Sequence, residues 1–592
     1  MKQQWLTDIS ALLRAKHSRC RIGCALLCAL LGLLVLGRVE PEQAVRWVRY
    51  SGYYLTLLAS IGLAVYLVQG YRAGVFSGLC AKDFKVGALA VVAGSWVLFV
   101  HADFDYKIAM DDYLLAGTAK QLHETREVAR TDFGRHMGST FMPIAVAVDK
   151  RPWFYPFVVA TLHDLVGYRA ANPFIVNACA GIVFLAGVYL FGTLLGGRLA
   201  GVCAVLLWAT SPLLAQNATG AGMEMLNLLM LQVLFLLAVY YLRQPSSTLE
   251  GAMSLAAVLL TYCRYESGIF LVPAILVILM GWWRAKKILL SWASVLALPL
   301  LLGVALQTRI YAATEASWEL TAGALAPFSL GALFGNFPHA LHFFFSPDAE
   351  LANSLLLSVC GVPAILAFFI LLRTEAVKYW KCNPTGIVTA LFGFFLIVHL
   401  IIILSFHASK LDSLFVSRYA LPFHWFLVFA LLALLAHIAA KRPVVWRVVI
   451  ALVLLFTLVS TLPKNAQAIF SNKNFIVREY NWLESLGPDR LAPKSLVIDQ
   501  YSAAWTLREW AALEPGVALL SAARIAREIQ TGKYPAAYVV ERMHYEGSDF
   551  VADDPRIAQL HQVFAMELVE ARSFRPFELT RLYRLTGYRP QK

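Results

Sequence analysis

The chain has 592 residues, 59% of them hydrophobic and 15% charged, with 51 Lys and Arg against 37 Asp and Glu for a formal net charge of +14. A soluble chain of that length, roughly four domains of ~150 residues, cannot bury so much apolar surface. Apolar stretches long enough to cross a bilayer recur from about Arg21 to Pro463, which excludes a soluble enzyme, a fibrous protein and a disordered one.

At the N-terminus Lys2, Arg14, Lys16, Arg19 and Arg21 precede an apolar run, but no small-residue cleavage site follows Leu36, so a retained anchor helix is expected. Cys20, Cys24 and Cys28 repeat along one face of that helix, and with no His or further Cys motif nearby they read as packing residues. None of the nine cysteines falls in the long polar regions 102–172, 307–350 and 463–592, and no disulfide is expected there.

Membrane helices are predicted near 22–37, 52–70, 86–101, 173–194, 198–215, 224–242, 250–265, 268–283, 288–306, 351–372, 386–406, 419–440 and 444–462, about thirteen in all. Alternating the sides puts Arg72, Lys82, Lys85, Arg198, Arg284, Lys286, Lys287, Arg373, Lys378, Lys381, Lys441, Arg442 and Arg447 together with the N-terminus. The positive-inside rule makes that side cytoplasmic, so the segments 102–172 and 307–350 and the C-terminus lie outside. Here the positive charge is a topology signal, and no nucleic-acid partner is expected.

Within the first outer segment, Asp112 to Leu122 has a helical pattern, and Trp153 to Val166 is an apolar stretch of 14 residues that suits a helix lying in the interface. Residues 463–592 change character. SLVID (495–499), AYVVE (537–541), MELVEA (566–571) and FELTRLYRL (577–585) read as strands, with helical patterns near 502–512 and 521–530. The expected architecture is therefore a polytopic α-helical membrane protein with interfacial helices in its first outer loop and a C-terminal extracytoplasmic α/β domain. Its divisions are 1–85, with a cytoplasmic segment and two helices; 86–462, the main transmembrane domain; and 463–592, a domain suited to acceptor binding.

The candidate chemistry gathers in the outer segments. HADFDYKIAMDDYLLAGTAKQL, from His101, places Asp103, Asp105, Asp111 and Asp112 close to a membrane boundary. Such carboxylates serve equally as solvated loop residues, as a general base at the lipid surface, or as ligands of a divalent cation. In VDKRPWFYPFVVATLHDLVGY (148–168), Lys150 and Arg151 before an aromatic helix fit a snorkelling anchor or a phosphate grip. Glu224, Glu266 and Arg264 lie at or near the outer ends of membrane segments, where ionisable groups are functional candidates. Two apart on a helix, Arg264 and Glu266 would face different ways, each needing another partner. Arg418 at an outer helix start is an anchor or a phosphate ligand. His339 and His342 read as interfacial polar groups more readily than as a metal pair, and Asp499, ending a strand, as the cap of the next helix.

Taken in order, these stretches resemble a family. MDDYLLAGTAKQL (110–122), then DKRPWFYPFVVATLHDLVGY (149–168), is similar to the first outer loop of the GT-C glycosyltransferases related to aminoarabinose transferases and protein O-mannosyltransferases. NATGAGMEMLNLLMLQVLFLLAVYYL (217–242), TYCRYESGIFLVPAILVIL (261–279) and SRYALPFHWFLVFALLALLA (417–436) resemble later helices of the same family, in order. The resemblance spans about 86–462. Two extra helices precede the usual first one, the pair is Asp-Asp, and Lys-Arg-Pro-Trp replaces Lys-Pro-Pro, which leaves open whether Lys150 or Arg151 carries the family's phosphate-binding role.

The resemblance implies transfer of a sugar from a polyprenyl phosphate to an extracytoplasmic glycan, glycolipid or protein at the cell membrane, with inversion. It implies Asp111 and Asp112 as catalytic residues and Lys150, Arg151, Arg264 and Arg418 as donor-phosphate ligands. Tyr113, Asp149, Tyr155, Glu224 and Glu266 become substrate-binding candidates. No cofactor is required, although a divalent cation on Asp111 and Asp112 stays open. A transporter or lipid flippase fits less well, because no repeat is visible and the carboxylates sit in an outer loop; an assembly protein acting through its outer domain is the remaining alternative.

Overall fold

The computed structural model describes residues 16–76, 81–138, 140–313, 326–467, 474–546 and 549–589. Lys2, Arg14, Cys80 and part of the second outer segment lie outside these residues. Ten of the described helices are long and apolar enough to cross a membrane, or eleven if one bent pair is a single span. The predicted thirteen differ at three places. The stretch 198–215 is two helices, Arg198–Ala209 and Pro212–Ala218, bent by 78°. The break falls at Ser211–Pro212, where a ring nitrogen without a proton suits a first helical turn and not a helix interior. Ser247–Cys263 has 17 residues and stops where Arg264 turns extended (φ −150°, ψ 139°). Ala81–Phe99 opens with Lys82, Asp83 and Lys85 and is not among the ten.

The chain folds as two units. One takes residues up to Phe104, Lys150–Tyr155 and Pro173–Ile469; the other takes Asp105–Asp149, Pro156–Asn172 and Phe470–Lys592. The first is the helical membrane unit. Its core is aromatic: Phe191, Phe235, Trp425 and Phe429 meet edge-on at centroid distances of 4.2 to 4.9 Å, a geometry that brings positive ring edges to negative faces.

The second unit is built on an eight-stranded mixed sheet in the order β2-β1-β4-β3-β5-β8-β7, with β6 beside β5. The strands are β1 Arg130–Met137, β2 Thr140–Ala147, β3 Leu496–Ile498, β4 Ala511–Leu513, β5 Ala537–Glu546, β6 Asp549–Ala552, β7 Phe564–Arg572 and β8 Glu578–Tyr588. Parallel pairing is confined to β3 with β4 and β5. All three residues of β3 are buried, as a strand covered on both faces should be. The four strands expected from sequence are β3, β5, β7 and β8. The β1–β2 hairpin was not expected. It joins the sheet through Gly134 opposite Ala512, where the Phe141 ring lies over the bare backbone and would have to move to admit a Cβ.

Asp105–Asp149 and Pro156–Asn172 thus fold together with the C-terminal residues. Ser502 and Thr506 donate to the Asp132 and Thr131 carbonyls at 2.8 Å, Lys120 meets Glu509 at 2.9 Å, and the Tyr168 hydroxyl donates to the Leu507 carbonyl. Both expected helices of that segment are present, Ala109–Thr125 and Phe154–Val166.

Beside the sheet, Arg542 is buried between two carboxylates. It forms ion pairs with Asp499 (2.5 Å) and Glu479 and covers the Tyr501 ring at 4.4 Å. Burial opposes ionisation of both acids. At Asp499, Arg542 and the N–H groups of Tyr501 and Trp505 overcome it and hold the carboxyl below its usual range; at Glu479 burial wins and the carboxyl is pushed up. Arg542→Met should cost about 3–5 kcal/mol, because it strands two buried acids. Protease resistance of this unit in the full chain should fall accordingly, and Arg542→Met combined with Asp499→Asn and Glu479→Gln should recover part of the loss.

Candidate functional site

In the second unit the acidic pair stands in the first turn of Ala109–Thr125, where a helix N-terminus favours negative charge. The two carboxylates differ. Asp112 is fully buried, and its Oδ2 accepts from the backbone N–H of Lys107 (2.8 Å) and Ile108 (3.2 Å), latching the incoming chain onto the helix. Asp111 is half-buried. Tyr113 is buried, stacked on Tyr106 at 4.1 Å, with the Arg508 guanidinium 5.3 Å from its ring. Burial, partly offset by Arg508, pushes its hydroxyl up to about 12, so at neutral pH it is a proton donor and not a base. Asp149 is buried and ion-paired with Arg130. Asp499 does not cap the helix Ser502–Leu507, whose start takes no side-chain bond; it accepts from the Tyr501 N–H at 2.8 Å ahead of that helix and is drawn instead to Arg542.

In the membrane unit, Lys150 and Arg151 are half-buried at the start of a short firmly seated segment. The Arg151 carbonyl accepts from Gln307 (2.6 Å), and the buried Trp153 ring donates to Thr56 Oγ1 (2.8 Å) and the Gly52 carbonyl (3.2 Å). Gly52 and Thr56 belong to Pro41–Arg72, one of the two helices preceding the family-like region, so that helix supports the Lys-Arg-Pro-Trp element. Tyr155 is buried; its hydroxyl donates to the Pro173 carbonyl (3.0 Å) and accepts from Asn177 (3.4 Å).

Glu224, Arg264, Glu266 and Arg418 come together in the same unit. Arg264 grips Glu266 through Nη2 (2.7 Å) and Nε (3.2 Å) and reaches Glu224 through Nη1 (2.5 Å), while Arg418 Nε lies 3.2 Å from Glu224. Tyr419, which sequence reasoning missed, lies under both guanidiniums, 4.6 Å from Arg264 and 5.1 Å from Arg418. The expectation that Arg264 and Glu266 face apart is overturned. It assumed a continuous helix, but Arg264 is extended and a 3₁₀ turn begins at Tyr265, which swings the two side chains onto each other. Two acids and two guanidiniums balance, which is how buried ions are tolerated.

His339 and His342 direct Nδ1 to the same Asp412 Oδ2, at 2.7 and 3.3 Å. No group of three or more His, Cys, Asp or Glu side chains among the described residues is arranged to hold a metal ion.

No family model and no curated protein matches the sequence. Solved structures do. The apo structure of ArnT from Cupriavidus metallidurans matches with a TM-score of 0.53 at 12% identity, over 84% of this chain and 97% of that one. A structure of ArnT from the same organism bound to undecaprenyl phosphate matches at 0.48 and 12% identity, over 85% and 98% of the two chains. An Archaeoglobus fulgidus oligosaccharyltransferase complex with Zn and sulfate gives 0.43 at 11% identity, over 79% and 72%. The chain therefore has an ArnT-like, GT-C-type fold.

Proposed function

We propose that this protein is a multi-pass membrane glycosyltransferase that moves a sugar from a polyprenyl-phosphate donor to a glycan, glycolipid or protein acceptor on the extracytoplasmic face. The observation that carries the reading is the division of labour within the acidic pair. Asp112 is fixed by two backbone amides at a helix start, whereas Asp111 beside it is half-buried, and in this reading Asp111 is the general base. The GT-C-type fold supports the same reading.

In this mechanism Asp111 takes the proton of an acceptor hydroxyl as that oxygen attacks the anomeric carbon. The bond from that carbon to the phosphate oxygen breaks on the opposite face, inverting the centre, and the polyprenyl phosphate leaves with the electron pair. Lys150 and Arg151 stabilise the charge gathering on it. Arg264 and Arg418 act through Glu224 and Glu266 as a charge-balanced cluster that shapes the donor site, and no step runs through a metal ion. The test is transfer of label from a set of radiolabelled undecaprenyl-phosphate sugars in membranes carrying the full chain; no transfer with any donor, by protein that binds undecaprenyl phosphate, would count against the reading.

The mechanism also requires orientation. Single cysteines at positions 111, 338 and 501, placed in a cysteine-free background, should react with an impermeant maleimide from outside, and those at 82 and 441 only from the cytoplasm. Cytoplasmic reactivity at 111 would sink the mechanism.

A further inference from the structure

We infer that the membrane unit carries, at its basic end, a binding site for the ester region and one acyl chain of an anionic glycerophospholipid, separate from the residues of the proposed reaction. The site is a cavity of about 610 Å³ between the helices Ala81–Phe99, Asn172–Gly196 and Glu224–Arg243. Its walls are apolar apart from Asp83, Tyr189 and Gln232, and it opens where Phe84 and Val183 are exposed. The volume is that of an ordinary ligand pocket.

Gln232 points to the occupant. It is 1% exposed, lines the cavity, and neither its amide nitrogen nor its oxygen has a hydrogen-bonding partner among the described residues. An amide left unpaired in an apolar membrane interior is costly, so a group that must sit there is expected to meet a polar atom of something bound. Space is reserved for it: a Cβ at Gly187 would come 2.5 Å from the Gln232 amide nitrogen.

At the mouth, Arg198 Nε holds Asp83 Oδ1 at 2.6 Å while Arg198 stays 47% exposed; Lys85, two residues on from Asp83, is exposed at the same end of the helix. Basic groups at this end of a bundle suit a lipid phosphate. The spacing fits as well. Asp83 to Gly87 is about 6 Å along a helix, the Tyr189 ring packs on Gly87, and Gly187 lies about 3 Å beyond Tyr189. With the Tyr189 hydroxyl donating to the Asp83 carbonyl and Gly187 packed on Gln232, the Gln232 amide lies deeper in the cavity than the charged mouth, on the side where a glycerophospholipid carries ester carbonyls able to accept from Nε2. A polyprenyl phosphate has no polar atom beyond its phosphate and would leave the amide unpaired, so the chemistry favours an acyl lipid over an isoprenoid.

Native mass spectrometry of the full chain in detergent, titrated separately with palmitoyl-oleoyl phosphatidylglycerol and undecaprenyl phosphate, tests this. Gln232→Leu should weaken phosphatidylglycerol binding about tenfold, as loss of one buried hydrogen bond does, and Val91→Trp, which fills the cavity, should weaken it further. Neither should change binding of undecaprenyl phosphate. In lipid-free detergent Gln232→Leu should melt at the same temperature as the parent or higher, because it removes a stranded amide. Unchanged phosphatidylglycerol binding in either variant, an equal loss of undecaprenyl phosphate, or a lower melting temperature for Gln232→Leu would each overturn the assignment.

Discussion

Asp111→Asn is expected to lower sugar transfer by roughly 100-fold to 10,000-fold, the usual contribution of a positioned general base, while leaving donor binding intact. A base acts on the acceptor hydroxyl only as the transition state forms, so its loss appears in turnover and not in ground-state affinity. The substitution is nearly isosteric and leaves the Asp112 latch to Lys107 and Ile108 in place, so the helix start should survive. Turnover with the labelled donor, read beside donor affinity, separates the alternatives. If Asp111→Asn stays near normal while Asp112→Asn or Glu224→Gln fails, the base is misassigned; if all three keep turnover, the enzyme reading itself fails.

Replacing Lys150 and Arg151 together by alanine should weaken donor binding and rate in parallel, because a cation on the phosphate contributes in both ground and transition states. Loss of such a charged contact costs roughly 2–5 kcal/mol when buried, about thirtyfold to several thousandfold in donor affinity. Arg151→Ala alone should show a smaller loss, since Lys150 is adjacent. Arg264 makes the contrast: its replacement leaves Glu266 without its guanidinium and Glu224 with Arg418 alone, so it should reduce the yield of folded protein before any donor affinity can be measured. Isothermal titration with undecaprenyl phosphate would read both. Unchanged affinity in the Lys150/Arg151 double variant would remove these residues from the phosphate site.

Deleting residues 463–592 is not a clean test of an acceptor-only role for them. β4 pairs with β1, and Ser502, Thr506 and Glu509 hold the segment that carries Asp111, so truncation would disturb the proposed base as well.

Much of this was legible in the sequence because the signals are local. Hydropathy over a helix length marked the ten spans, alternation marked β3, β5, β7 and β8, and the Asp-Asp-Tyr and Lys-Arg-Pro-Trp elements lie within single short segments. What stayed hidden depends on partners remote in the chain. The β1–β2 hairpin gains its place from a strand beginning at Ala511; Arg542 finds acids 43 and 63 residues away; Tyr419 lies under an arginine from another segment. The Arg264–Glu266 clasp shows the same limit at short range. Two residues cannot meet across a helix, and only the tertiary packing that ends the helix at Cys263 extends Arg264 and lets them pair.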